Sequence, residues 1–471
     1  MTRLAAALFC LACLAGPAIA KDSTGFELPS RPYTVDMAEL KFEPLPGAKA
    51  VTGMTTHGSG YRLEIPANWN GELVVSVRGG AQYPADRLCD PQTHANCVLP
   101  SAGFPAIRKH LIERGFAWAS PTFREYLITP KTRALDALDT VADIRKNQPG
   151  FKGRAFIIGN SLGGQTVQHA LELFPGTFAG AIAGCTGDSK GYADFFEFTL
   201  AAMALVAPDS PEVAQFLKTA KWPLDPERLN ALRAPVLAGL GPNFPYERNA
   251  KGDALVKIME GLSGGPRPMF DTAFFAEVKD TIPGYIIRMS GVDAGDRAFI
   301  DNVWVDYRWE SKPGQPLTVA EASLNLTIPR FSCDPEVCTS GRIAPDQTHN
   351  LGGIYRLTGK ITVPLIELNA LGDMIAFFSG AQRYAAQVEA NGASNLLVQR
   401  AIRDRRHCGF NEAEVTEAFD DLIKWVDTSA RPAGDDTRDP AKVAAPNYGC
   451  AFTRGAHDLD YDYDLVCRKQ P

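Results

Sequence analysis

Ala155-Phe156-Ile157-Ile158-Gly159-Asn160-Ser161-Leu162-Gly163-Gly164 is the stretch on which the reading of this chain turns. Four apolar residues run straight into Gly-x-Ser-x-Gly, and 165–174 follows with helical spacing. A strand that turns sharply into a helix crowds the residues around the turn. Glycine therefore stands where a Cβ would collide, and the serine hydroxyl is lifted clear of the sheet edge as a nucleophile elbow. The pentapeptide occurs a second time, in Gly187-Asp188-Ser189-Lys190-Gly191. The flanks separate the two. Ser161 follows its strand with no slack, and Gly163-Gly164 let a helix pack closely. Ser189 stands past Cys185 and Thr186, where the chain is already leaving the strand over 179–184.

Working outward, apolar or alternating runs predict strands over 48–54, 61–65, 73–77, 116–120 and 363–368, with a short apolar run at 396–398. Helical spacing recurs over 106–114, 132–147, 381–389 and 412–425. Strands alternating with helices at this spacing predict an α/β fold, a mostly parallel sheet with helices on both faces. The alternation is broken over 187–359. That segment reads as a Phe-rich, mostly helical stretch to about residue 301, then a β-leaning stretch around Trp304, Tyr307 and Trp309 and over 324–328. An insertion of this size predicts a large lid or cap over the cleft, and Phe-rich helices read as its core before they read as substrate contacts. The expected layout is a leader at 1–20, a first core part at 21–186, the insertion at 187–359, a second core part at 360–429 and a surface tail at 430–471. The run Asp458-Leu459-Asp460-Tyr461-Asp462-Tyr463-Asp464 lacks the glycine and spacing of a calcium loop and reads as solvated tail.

The whole chain sets bounds on what it does. At 471 residues, with 45% hydrophobic and 22% charged residues, it has the composition of a globular protein with a large core. A net charge of -6 with the two signs interspersed gives no footprint for nucleic acid or an anionic membrane. Arg3, an apolar run from Leu4 to Gly16, and Ala18-Ile19-Ala20 read as a secretory leader cut after Ala20, with a secreted or periplasmic product. No other segment reads as a membrane span. Eight of the ten cysteines follow the leader, and an even number in an exported chain reads as disulfides. Short separations suggest Cys89 with Cys97, Cys333 with Cys338 and Cys450 with Cys467, which leaves Cys185 for Cys408. Without Cys-x-x-Cys, and with scattered histidines, no metal site is expected.

An activated serine needs a base in hydrogen-bond reach, and the base needs a carboxylate to hold its tautomer. Behind an elbow these follow in the order Ser, Asp or Glu, His, each on a loop after a strand. Asp373 sits after the 363–368 strand. His407 follows the run at 396–398 and precedes the last helix, whereas His57, His94 and His110 come before the serine, His169 lies inside the elbow helix, and His349 and His457 fall in the insertion and tail. The candidate triad is Ser161, Asp373 and His407. The candidate oxyanion donors are the Leu162 N–H, at the positive end of its helix, and an N–H from Gly79 or Gly80 after the 73–77 strand.

At these residues a family resemblance emerges. The chain resembles a secreted α/β-hydrolase. Pro66-Ala67-Asn68-Trp69-Asn70-Gly71-Glu72-Leu73 is similar to the Pro-x-x-Trp-Asn-Gly-x-Leu approach to the oxyanion strand in a bacterial group of exported hydrolases. Phe174-Pro175, Cys185, Gly372-Asp373, and His407-Cys408-Gly409-Phe410 with Glu414 and Trp425 are similar to the same group. The resemblance spans 48–190 and 357–427 and implies the same triad. Such loops commonly carry His before the glycines, where this chain has Arg78. Cys185 and Cys408 both belong near the cleft, where a bridge would tether the histidine loop to the sheet. Tannase-like and feruloyl esterases pair the Cys beside the catalytic His with one next to Ser, a place held here by Asn160, so that family is not assigned.

The expected activity is cofactor-free hydrolysis of a carboxylic ester through an acyl-enzyme, on a small-molecule or oligomeric substrate. The first alternative is amide hydrolysis by the same triad. Further alternatives are an acyltransferase and a non-catalytic binding module, although the latter usually loses a triad member.

Overall fold

The computed structural model describes residues 35, 37–38, 40–79, 107–122, 130–188, 191–219, 226–276, 302–332 and 357–468. The leader over 1–20, Gly80, Ser189, Cys89, Cys97, Cys333 and Cys338 lie outside these residues.

Eight strands form one sheet: β1 (Ala48–Met54), β2 (Gly60–Pro66), β3 (Leu73–Val77), β4 (Ala117–Pro121), β5 (Ala155–Asn160), β6 (Gly180–Gly184), β7 (Leu365–Ala370) and β8 (Leu397–Ile402). Their order across the sheet is β1-β2-β4-β3-β5-β6-β7-β8. The β1–β2 and β2–β4 pairs are antiparallel, and every pair from β4–β3 to β7–β8 is parallel. Parallel neighbours require crossovers, and the helices supply them: α1 (Ile107–Glu113), α2 (Pro130–Asn147), α3 (Leu162–Leu173), then α4 (Gly191–Val206), α5 (Pro211–Thr219), α6 (Pro226–Leu240), α7 (Ala250–Leu262) and α8 (Val319–Thr327) between β6 and β7, and finally α9 (Phe378–Ala390) and α10 (Glu412–Thr428).

The two-residue period of the central strands divides the core. Leu73, Val75, Val77, Ile157, Ala181 and Ala183 face one side, where they meet Ala134 and Val141 of α2, Val167 of α3 and Tyr384 of α9. Val74, Phe156, Ile158, Ile182, Ile366 and Leu368 face the other, against Leu111 of α1 and Phe419 and Leu422 of α10. Strands buried on both faces read as continuous apolar runs, which is why β3 and β5 were legible as such.

Helices α4 to α8 and the segment over 270–274 share a third core built on Phe198, Phe216, Phe270 and Phe274, joined by Met374 and Phe377 from the loop after β7. Phe198 meets Phe377 edge to face at 4.7 Å. The β-leaning stretch over 324–328 is helical instead, as the end of α8. A capping box starts that helix: the Thr318 hydroxyl accepts from the Glu321 N–H, and the Glu321 carboxylate accepts from the Thr318 N–H. Leu326 is 89% exposed, so the Leu-x-Leu alternation was never a buried strand face.

β8 would leave an open edge. The segment after α10 covers it: the Asp435 N–H donates to the Gln399 carbonyl at 2.7 Å, and its carboxylate accepts the Ala401 N–H at 2.8 Å. Among the described residues no helix is long and apolar enough to cross a membrane.

Candidate active site

Ser161 stands between β5 and α3 with φ 56° and ψ −129°, a conformation that costs a non-glycine residue about 1–3 kcal/mol and persists only when its surroundings enforce it. Two contacts do so from β6. The Ser161 N–H donates to the Gly184 carbonyl at 2.8 Å and lies 3.1 Å from Cys185 Sγ. The start of α3 presses on the end of β3 so closely that a Cβ on Gly163 would sit 2.3 Å from the Val77 carbonyl oxygen. Gly163→Ala is therefore expected to destabilise the fold by about 1–3 kcal/mol, read as a lower urea midpoint. A midpoint equal to that of the parent chain would contradict this close contact.

The loop after β7 carries Asp373, 1% exposed, with its Oδ1 accepting the Ile375 and Ala376 N–H groups at 2.8 Å each. The turn after β8 carries His407. Its Nδ1 lies 2.8 Å from Asp373 Oδ2 and 3.0 Å from Oδ1, and its Nε2 lies 2.8 Å from Ser161 Oγ. An ionised carboxylate only accepts, so Nδ1 carries the proton and Nε2 presents its lone pair to the serine. Three residues from three loops thus form one hydrogen-bonded chain.

Cys185, at the end of β6, is joined to Cys408, the neighbour of His407, with the Cα atoms 5.0 Å apart. Both cysteines have positive φ, 43° and 57°, so the bridge connects two tightly turned loops beside the serine. Cys450 is joined to Cys467. Cys185, His407 and Cys408 bring metal-ligand types together, but the two sulfurs are bonded to each other, which removes the thiolates a metal would need.

Gly79 abuts the serine. A Cβ built on it would lie 3.1 Å from Ser161 Cβ and 3.1 Å from the Asn160 carbonyl oxygen. Below this loop, the buried Arg133 of α2 donates from Nη1 to the carbonyls of Arg78 at 3.0 Å and Gly79 at 3.1 Å. In a trans peptide the carbonyl and the following N–H point in opposite directions, so the bond to Arg78 O turns the Gly79 N–H away from Arg133. Leu162 is the first residue of α3, where helix N–H groups are unsatisfied within the helix and the dipole is positive. Arg133 was not singled out in the sequence. Only its place in an amphipathic helix was visible there, since nothing local shows where the guanidinium reaches.

The segment between β6 and β7 also reaches the Asp373 loop. Arg267, buried, donates to the Leu371 carbonyl at 2.7 Å, to the Gly265 carbonyl at 2.9 Å and to Ser263 Oγ at 3.1 Å. Burial lowers its pKa to about 10, against the opposing charges of Glu260 and Asp373.

The sheet order, the parallel pairing from β4 to β8 and a positive-φ serine between β5 and α3 decide the architecture. This is the α/β-hydrolase fold. No family model matches the chain, and no curated protein matches it. Solved structures that it resembles include an esterase from Aspergillus oryzae (13% identity, 81% of this chain and 80% of that one, TM-score 0.42). Feruloyl esterase B from Aspergillus oryzae is another (13% identity, 86% of each chain, TM-score 0.41). A third is Candida antarctica lipase A in its closed state (14% identity, 93% of this chain and 87% of that one, TM-score 0.41). At such low identity and TM-score, the fold rests on this chain's own strand order and elbow.

Proposed function

We propose that the protein is an exported serine hydrolase that cleaves a carboxylic ester through an acyl-enzyme. The observation that carries this reading is the hydrogen-bond chain from buried Asp373 through His407 to Ser161 Oγ. Ser161 Oγ attacks the acyl carbon while His407 Nε2 takes the hydroxyl proton, and Asp373 holds the imidazolium that results. The Leu162 N–H and an N–H from Gly79 or Gly80 receive the oxyanion. Collapse of the tetrahedral species breaks the bond to the leaving group, which takes the proton from His407. Water, deprotonated by the same nitrogen, then releases the acid. The leader composition and the two disulfides among the described residues support export, and helices α4 to α8 act as the lid over the cleft.

Paired substrates test the leaving group. An ester and an amide of one acyl group share the acyl-enzyme, so a difference between them reports the acylation step and not deacylation. Turnover of the ester with the amide left essentially uncleaved is expected; amide turnover at a comparable kcat/KM would make the protein an amidase. Partition of the acyl group toward an added alcohol rather than water would make it an acyltransferase.

A further inference from the structure

Four consecutive residues lead from β8 to His407, and the C-terminal segment holds three of them by their side chains. Arg403 donates to both oxygens of Asp460 at 2.9 Å, and further to the Pro446 and Tyr448 carbonyls at 2.8 and 3.3 Å. Its own N–H goes to Thr453 Oγ1. Arg405 pairs with Asp458. Asp404, wholly buried, accepts from His457 Nδ1 and from Arg406. His457 lies between two carboxylates, since its Nε2 is 2.8 Å from Glu414 Oε1 in the first turn of α10. Its side chain is 4% exposed, and both carboxylates are 0% exposed. A histidine that meets a buried acceptor at each nitrogen carries a proton on both.

Asp404 is the point where this cluster touches the candidate triad. Its carbonyl accepts the Gly372 N–H at 2.9 Å, next to Asp373. On the other side its carboxylate packs against the backbone of Gly409, two residues beyond His407, where a Cβ would lie 2.3 Å from the carboxyl group. The 404–409 turn therefore wraps Asp404, and Asp404 is held by His457.

We propose that His457 is a positioning residue: as an imidazolium between Asp404 and Glu414 it fixes the turn that presents His407 to Ser161, which makes the C-terminal segment part of the hydrolytic apparatus. This rests on the serine-hydrolase reading above. The cluster predicts its own pH response. Burial works against the charge on His457, but the hydrogen bonds and charges of Asp404 and Glu414 outweigh it and raise its pKa to about 9. Around it, Arg406 pairs with Asp404, the Arg454 N–H donates to Glu414, the Arg454 guanidinium engages Glu417, and Asp458 engages Arg405. A raised histidine pKa means that the clamp is at full strength below the ordinary pKa of about 6.5 and is lost as the pH rises through about 9.

The test uses the full chain, with hydrolysis of p-nitrophenyl butyrate and fluorophosphonate labelling of Ser161 followed from about pH 6 to about pH 10. In the parent chain kcat and labelling rate should fall through about pH 9. His457→Gln, which offers no charge, should lower kcat about 100-fold at neutral pH with KM little changed, the loss expected when a base is displaced by a fraction of its hydrogen-bond reach, and its profile should lack that alkaline fall. A folded His457→Gln with parental kcat and an unaltered profile would overturn the proposal. Should His457→Gln not fold, Glu414→Gln keeps His457 and Asp404 but removes one of the two charges that hold the proton, so the alkaline fall should move below that of the parent chain; an unmoved fall would overturn the proposal, and so would a flat parental profile to about pH 10. Loss of labelling at Ser161 in the parent chain would instead count against the hydrolase reading, so the two failures are distinct.

Discussion

Ser161→Ala should leave the fold intact and lower kcat by about a millionfold, some 8 kcal/mol of transition-state stabilisation. The magnitude follows from what remains. Without Oγ there is no acyl-enzyme, and the proposed oxyanion donors at Leu162 and at Gly79 or Gly80 can assist only direct attack by water, worth a residual of about 10³–10⁴ over the uncatalysed reaction. The substitution removes one oxygen from a residue whose backbone φ of 56° is imposed by the Gly184 carbonyl and Cys185, and alanine tolerates that conformation no worse than serine does. Thermal stability should therefore change little. Fluorophosphonate labelling should disappear with activity, because the same oxygen is the nucleophile in both reactions. Full labelling of Ser161→Ala, mapped by mass spectrometry to Ser189, would move the nucleophile to the other Gly-x-Ser-x-Gly and overturn the assignment.

What the sequence made visible was the part encoded locally. The runs at 73–77 and 155–158 are apolar, Ser76 excepted, because both faces of β3 and β5 are covered, and helices of the right length stand between them. Ser161, Asp373 and His407 were legible as an order along the chain, each after a strand, and the sheet order turns that order into proximity. Long-range partners left no such trace. The Asp458 to Asp464 run reads as solvated tail, yet Asp460 is buried against Arg403, which lies 57 residues away, and no local pattern reports that. His457 was set aside for its place in the tail, although its neighbours in space are Asp404 and Glu414. The helix over 319–327 was missed for a different reason. Its Leu324 and Leu326 alternate like a strand, while the decisive signal was the Thr318–Glu321 capping box a few residues earlier.

Asp373→Asn should lower kcat about 10⁴-fold without disturbing the geometry, and the hydrogen bonds around the side chain say why. Oδ1 accepts two backbone N–H groups, from Ile375 and Ala376, so the oxygen of an asparagine amide is obliged to stay there. The NH2 group then occupies the place of Oδ2, 2.8 Å from His407 Nδ1. A donor facing Nδ1 forces that nitrogen to accept, which moves the imidazole proton to Nε2. The nitrogen that lies 2.8 Å from Ser161 Oγ becomes a donor and can no longer take the hydroxyl proton. Little of the loss should appear in KM, because the acyl group and its pocket are untouched. Arg267 keeps its three neutral acceptors at Leu371, Gly265 and Ser263, so the variant should remain folded, and its thermal midpoint checks this independently of activity. Labelling of Ser161 by fluorophosphonate should slow in parallel with kcat, since both need the same base. An Asp373→Asn chain that hydrolyses esters within tenfold of the parent would mean that His407 is oriented from elsewhere, and Asp373 would lose its place in the mechanism.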